Sequence, residues 1–120
     1  MKKEAINSVL YLITCKENYF NKIWPSDPSI KNNLSYKTLL DIACQYIELG
    51  RLSEIAGFLM ESQYCINLWT AHFILEYGKP DELLKVECLN IIQDYSVSEL
   101  QPTIADLESK WLVENVGKYF

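Results

Sequence analysis

Few side chains in this sequence can move a proton, attack a carbonyl or bind a metal. There is one histidine, His72, and there are four cysteines, Cys15, Cys44, Cys65 and Cys88, beside sixteen carboxylates. A Cys–His nucleophile needs the thiol within hydrogen-bond reach of the imidazole. Cys65 stands seven residues before His72, two turns away on one helix and out of reach. Cys88 can approach it only across a contact between two helices. The alternative for His72 is a satisfied core histidine on the most apolar helix. The cysteines are 21 to 29 residues apart with no Cys-x-x-Cys pair, so spacing supports neither a zinc nor a redox site. The carboxylate pairs Asp81–Glu82 and Asp106–Glu108 fall at a helix start and on an exposed helix face, where capping and solvation account for them. A glycosidase-like or metal-dependent mechanism needs them in a cleft. No glycine-rich phosphate loop, Gly-x-Ser-x-Gly or His-Glu-x-x-His occurs, and a single arginine, Arg51, is thin provision for phosphate recognition. By elimination the sequence reads as a binding module without a cofactor or metal, not as an enzyme.

The elements that must position these residues are helices. Residues 62–75 carry no formal charge, and their apolar side chains cover most of a helical circumference. One stripe is Cys65, Leu68, Trp69, His72 and Phe73; another is Ile66, Thr70, Phe73, Ile74 and Tyr77. A helix of that kind is buried on several sides, and this one is too short and too interrupted to span a bilayer. It is predicted over residues 64–76 as the centre of the fold. Ahead of it, a first helix is expected from about Lys3 to Phe20, with Ile6, Val9, Leu10, Ile13 and Phe20 inward and Tyr11 and Leu12 widening the stripe. Pro25, Asp27 and Pro28 end it in a loop over residues 24–34, where Trp24 either staples the loop to the core or serves as a contact residue.

A second helix is expected to start at Ser35 as its cap and to stop at Gly50, with Tyr36, Leu39, Leu40, Ala43, Tyr46 and Ile47 inward. A short third helix over residues 53–61 is expected to turn Ile55, Ala56, Leu59 and Met60 inward and to pair with the second as a hairpin. Gly78 ends the central helix. Pro80 is expected to start the fifth helix at its first helical position, with Asp81 and Glu82 in the first turn and Leu83, Leu84, Cys88, Ile91, Ile92 and Tyr95 facing the core. A sixth helix begins near Pro102, carries Ile104, Leu107, Trp111 and Leu112 inward, and closes at Gly117. No period-two strand pattern of useful length occurs. The expectation is an all-α fold of about six antiparallel helices around a buried central helix, similar in shape to a HEAT or armadillo bundle.

At 120 residues the sequence has the length of one domain and is long enough for a real core. Its apolar and charged shares, 49% and 22%, are those of an ordinary globular protein. The four cysteines lie within apolar helical patterns and read as reduced, buried thiols, which fits the cytosol. The start of the sequence reads as neither a signal peptide nor a membrane span. The net charge of −5 is uneven: residues 1–40 hold six basic and three acidic side chains, whereas residues 41–120 hold five basic and thirteen acidic ones. An acidic body repels nucleic acid and favours a basic partner; the alternative reading of the same charge is solubility. The contact residues this points to are Asp41, Glu48, Glu54, Glu61, Glu82 and Asp94, which fall off the apolar stripes, with Tyr64, Tyr77 and Tyr95 near helix ends. Tyrosines supply contact area and carboxylates steer a Lys- and Arg-rich partner; a solvated face with half-buried tyrosines explains the same residues.

At Leu68-Trp69-Thr70-Ala71-His72, followed by Ile74-Leu75 and the fifth helix, the sequence resembles a family of small bacterial HEAT-like helical proteins. That family carries a Leu-Trp-Ala-Ala-like helix, a second helix with a Leu-Glu-like run and a closing helix ending in Trp. Val86-Glu87-Cys88-Leu89 and residues 107–111 match those parts, and the resemblance covers about residues 60–112. Asn67 stands where the family often has Arg, and Thr70 replaces an Ala. Such proteins resemble immunity proteins encoded beside polymorphic or contact-dependent growth-inhibition toxins. The resemblance implies a cytosolic, non-enzymatic inhibitor that binds a toxin domain, often a nuclease, in a 1:1 complex and blocks its active site or substrate entry. It carries over no functional residue, because the motif consists of core positions. The alternatives are a helical scaffold, adaptor or regulatory subunit with no toxin partner, and a small Cys–His enzyme.

Overall fold

The computed structural model describes residues 5–119, and among these the fold is all-helical. Six α-helices follow in order: α1 (Ser8–Phe20), α2 (Leu34–Glu48), α3 (Leu52–Ile55), α4 (Ile66–Tyr77), α5 (Glu82–Ser96) and α6 (Pro102–Tyr119). Short 3-10 turns occupy Pro28–Ile30, Ala56–Met60 and Gln63–Cys65. Local chemistry sets most ends. The Asn7 side chain accepts the Leu10 N–H at 3.0 Å and starts α1; the Lys3 start expected from sequence lies outside the described residues. Asn33 accepts both the N–H and the hydroxyl of Ser35, at 2.8 and 2.6 Å, so the cap of α2 is Asn33 and not Ser35. Asp81 accepts the Leu84 N–H at 2.9 Å and caps α5, which leaves Pro80 just outside the helix. Gly50, at φ +70°, ends α2 as expected. Its N–H donates to Ile47 O at 3.1 Å and the Arg51 N–H donates to Tyr46 O at 2.8 Å, the paired bonds of a left-handed C-terminal stop.

Helix α4 is the centre. Ile66 and every residue over 68–75 are buried, because α1, α2, α5 and the Ala56–Met60 turn all pack on it. Its helix propensity matters less than these neighbours, since tertiary packing of apolar faces supplies most helical stability. Trp69 and Phe73 stack at 6.0 Å, and the Tyr36 ring lies tilted against both at 6.4 and 6.1 Å. Thr70, fully buried, is satisfied. Its hydroxyl donates to Ile66 O at 2.8 Å, leaving its oxygen to accept the Tyr11 hydroxyl at 2.9 Å. The second layer is formed by α5, which packs on α4, and α6, which packs on α5. No helix among the described residues is long and apolar enough to cross a membrane.

Several expectations are corrected. Helix α4 starts two residues later than expected because Tyr64 and Cys65 have positive φ, 54° and 58°, a conformation costing an L-residue roughly 1–2 kcal/mol. Most of the stripe expected to bury α1 points outward: Val9, Leu10, Ile13 and Phe20 are exposed, and Tyr11, Thr14, Cys15 and Asn18 are buried instead. Tyr11 wins the inward position because its ring stacks on Phe58 at 5.3 Å while its hydroxyl finds Thr70. The third helix is one α-turn followed by the 3-10 turn, whose tighter winding leaves Met60 exposed. Leu83 is exposed as well, one residue off the Leu84–Cys88–Ile92 face that meets α4. Helix α6 runs past Gly117 because Tyr119 stacks on Trp111 at 5.7 Å. Trp24 does staple its loop: half-buried, it packs on the core edge-on to Tyr19 at 5.8 Å.

Candidate functional site

The buried ionisable cluster gathers at His72. Helix α4 brings the imidazole into the core, α6 brings Glu108, and the loop between α1 and α2 brings Ser26. His72 Nε2 lies 2.6 Å from Glu108 Oε1 and 3.0 Å from Ser26 Oγ. The Trp111 indole closes one side, edge-on to the imidazole at 4.6 Å. Glu108 is fully buried, which overturns its assignment to an exposed helix face, and its Oε2 makes no hydrogen bond among the described residues. A sequence signal existed: Glu108 sits four residues after Ile104 and three before Trp111, within the apolar stripe of α6. A carboxylate there needs a buried partner, and His72 is the ionisable residue within the buried part of the most apolar helix. Ser26 left no such signal, being one polar residue in a proline-rich loop.

The composition is that of a Ser–His–acid relay, but the geometry is not. A relay places the acid on Nδ1 and the hydroxyl on Nε2, so that the imidazole passes a proton between them. Here both partners crowd one nitrogen. When Nε2–H donates to Glu108, no lone pair on that nitrogen is left to take the Ser26 proton. The cluster is a clamp that ties the α1–α2 loop and α6 to the central helix. Above it lies a depression of about 280 Å³ whose walls carry Ser26 and Trp111, with Asp27, Glu76 and Glu114 against Lys31 and Lys110.

The thiols are poorly suited to nucleophilic chemistry. Among the described residues no thiol hydrogen-bonds to His72, so neither Cys65 nor Cys88 forms the pair considered from the sequence. Burial pushes the Cys88 thiol up to about 12, with help from Glu87, and the Cys65 thiol up to about 11; Cys15 is also raised by burial. Cys44 is half-buried rather than buried, raised by desolvation and then by Glu48 and Asp41. Because the folded values exceed the unfolded ones, the neutral thiols favour the fold fully below their unfolded pKa. That contribution is lost as pH rises through it toward the folded values. The thermal unfolding midpoint is therefore expected to fall above about pH 9, the fall being smaller in Cys88→Ala. A midpoint unchanged through this alkaline range would contradict the assignment.

The contact residues expected from sequence are scattered. Asp41 and Glu48 share the exposed face of α2 with Cys44 between them, whose thiol both raise. Glu54 is exposed and pairs with Arg51 at 2.7 and 2.8 Å; Glu61 is exposed on the segment that leads to α4. Glu82 pairs with Lys85 at 3.0 Å. It lies twelve residues before Asp94 on α5, about 18 Å along the axis, so these two do not share one patch. Tyr64 and Tyr95 are brought together, lining with Tyr19 and Gln101 a depression of about 350 Å³. Tyr95 is half-buried, its hydroxyl donating to Asn67 Oδ1 at 2.7 Å. A larger groove of about 810 Å³ runs between the C-terminal end of α1 and the start of α6, with Phe20, Trp24, Leu100 and Leu107 on its walls; sequence reasoning did not foresee it. Among the described residues no three potential metal ligands come together. Compared with protein-family models, curated proteins and solved structures, this chain matches none of them.

Proposed function

We propose that this protein acts in the cytosol by binding another protein, as an immunity-type inhibitor that caps a basic toxin domain, a nuclease being the expected class, in a 1:1 complex. The observation that carries this reading is a surface rich in exposed carboxylates, several of them without internal counter-charges. Of the thirteen acidic residues over 41–120, all but Glu108 are exposed. Asp41, Glu48, Glu61 and Asp94 form no ion pair among the described residues. Carboxylates left open in this way raise the encounter rate with a basic cleft and are held to it by charge. The resemblance at residues 60–112 points the same way, and the single-nitrogen geometry at His72 together with the raised thiols supports binding over catalysis.

The test is capture of partners by the tagged protein from its own cells at low salt, followed by mass spectrometry and a salt wash. A stoichiometric basic toxin domain that elutes with salt, and whose toxicity the protein suppresses on co-expression, is the expected result. The variant with Asp41 and Glu48 both changed to Lys should bind it more slowly and more weakly. Recovery of a housekeeping complex instead, with no suppression of any toxin encoded beside the gene, would replace this reading with that of an adaptor.

A further inference from the structure

The outward face of α1 is largely apolar and open to solvent along Val9 and Ile13; toward its C-terminal end the Phe20 ring lies 5.8 Å from the Tyr64 ring and the Lys16 ammonium 5.5 Å from it. At 100° per residue, Val9, Ile13, Lys16, Glu17 and Phe20 fall on one side of the helix, and Tyr11, Thr14, Cys15 and Asn18 on the opposite side. The second set is buried. Val9 is 63% exposed, Ile13 49% and Phe20 65%. The side richer in aliphatic residues thus looks at solvent, while the buried side includes the polar Thr14 and Asn18, and the Asn18 Nδ2 has no hydrogen-bond partner among the described residues. An exposed apolar stripe, here with Lys16 and Glu17 in its middle, is a candidate contact surface.

The charges indicate what covers it. Lys16 and Glu17 are the only charged residues of α1, so this face is neutral on a chain of net charge −5. A basic partner drawn to the acidic body finds no net counter-charge here. The face is complementary to itself. In an antiparallel two-fold arrangement centred between residues 16 and 17, Lys16 of each copy meets Glu17 of the other, and Ile13 of each meets Phe20. That is an isologous contact, in which one patch serves both partners. The apolar surface continues past Phe20 into the groove walled by Trp24, Leu100 and Leu107, and Leu100 is 93% exposed. A specific interface buries roughly 800 Å² per partner, more than one helix face offers, so the contact has to take in this groove as well.

We propose that the protein forms a two-fold dimer through α1, with reciprocal Lys16–Glu17 pairs flanked by Ile13–Phe20 contacts. The dimer is independent of the toxin-inhibitor reading, since Asp41 and Glu48 on α2 take no part in it.

Sedimentation and light scattering across a concentration series test it, with circular dichroism verifying that each variant folds. The expected mass at high concentration is twice the 14.0 kDa of the chain. Ile13→Glu and Phe20→Glu should each weaken association by about 30-fold or more, because each places a charge in an apolar contact that occurs twice in the dimer. Lys16→Glu and Glu17→Lys should each weaken it too, whereas the double swap Lys16→Glu/Glu17→Lys should restore it, because the reciprocal pairs re-form with reversed sign. A monomer at the highest concentration reached would overturn the proposal. So would a dimer indifferent to Ile13→Glu and Phe20→Glu, or a double swap no better than the single changes.

Discussion

Replacing His72 with alanine is expected to destabilise the fold by about 3–5 kcal/mol, although His72 is central to no chemistry we assign. Glu108 is fully buried with Oε2 already unpartnered, and His72 Nε2 at 2.6 Å is the contact its other oxygen makes. Without the imidazole, a carboxyl group is left in the core with nothing to satisfy it, and the penalty is that of an uncompensated buried polar or charged group rather than of one lost hydrogen bond. Two further variants separate these effects. Glu108→Gln keeps the shape and a hydrogen-bonding oxygen, and should cost about 1 kcal/mol. The double replacement His72→Leu/Glu108→Leu removes both polar groups together and should be more stable than either single leucine variant, since apolar replacement of a whole buried pair is often neutral or better. Urea unfolding measures all of these, the two single leucine variants included. Additive losses in the double variant would show that the two residues are not coupled. His72→Ala should also free the segment around Ser26, whose hydroxyl lies 3.0 Å from the same nitrogen, so proteolysis should begin between α1 and α2.

Trp69→Ala is the second large expected effect, also about 3–5 kcal/mol. The Trp69 side chain is 1% exposed, stacked on Phe73 and tilted against Tyr36, within a helix that has neighbours on every side. Those neighbours cannot close on the space the indole leaves without moving several helices at once, so most of the volume persists as a cavity and its lining loses contacts. Against a total stability of about 5–15 kcal/mol for a domain, the loss can unfold the protein at physiological temperature. The comparison is Leu100→Ala. Leu100 is 93% exposed and, in dilute solution, its replacement should change stability by less than about 0.5 kcal/mol. Chemical unfolding of both variants decides the matter. Equal effects would mean that α4 is not the centre of the core.

What the amino-acid sequence determined by itself is the set of helices, the central place of α4 and the stop at Gly50. An uncharged run with apolar residues around its whole circumference has one stable solution in water, which is burial on all sides, and a left-handed turn after α2 favours a residue without a Cβ. The open carboxylates of α2 were legible too, because a charged residue off the apolar stripe stays in solvent unless something binds it. Tertiary structure alone decided which way α1 faces, where α4 begins and what satisfies His72. Periodicity tells which residues share a side of a helix but not which side meets a neighbour. For α1 that choice went to Tyr11 through Phe58 and Thr70, and Thr70 is 59 positions away in the chain. Glu108 and Ser26 reach His72 across 36 and 46 positions. A buried polar group is stable only where its partner arrives, and separations of that size are closed by the packing of whole helices, not by any local pattern.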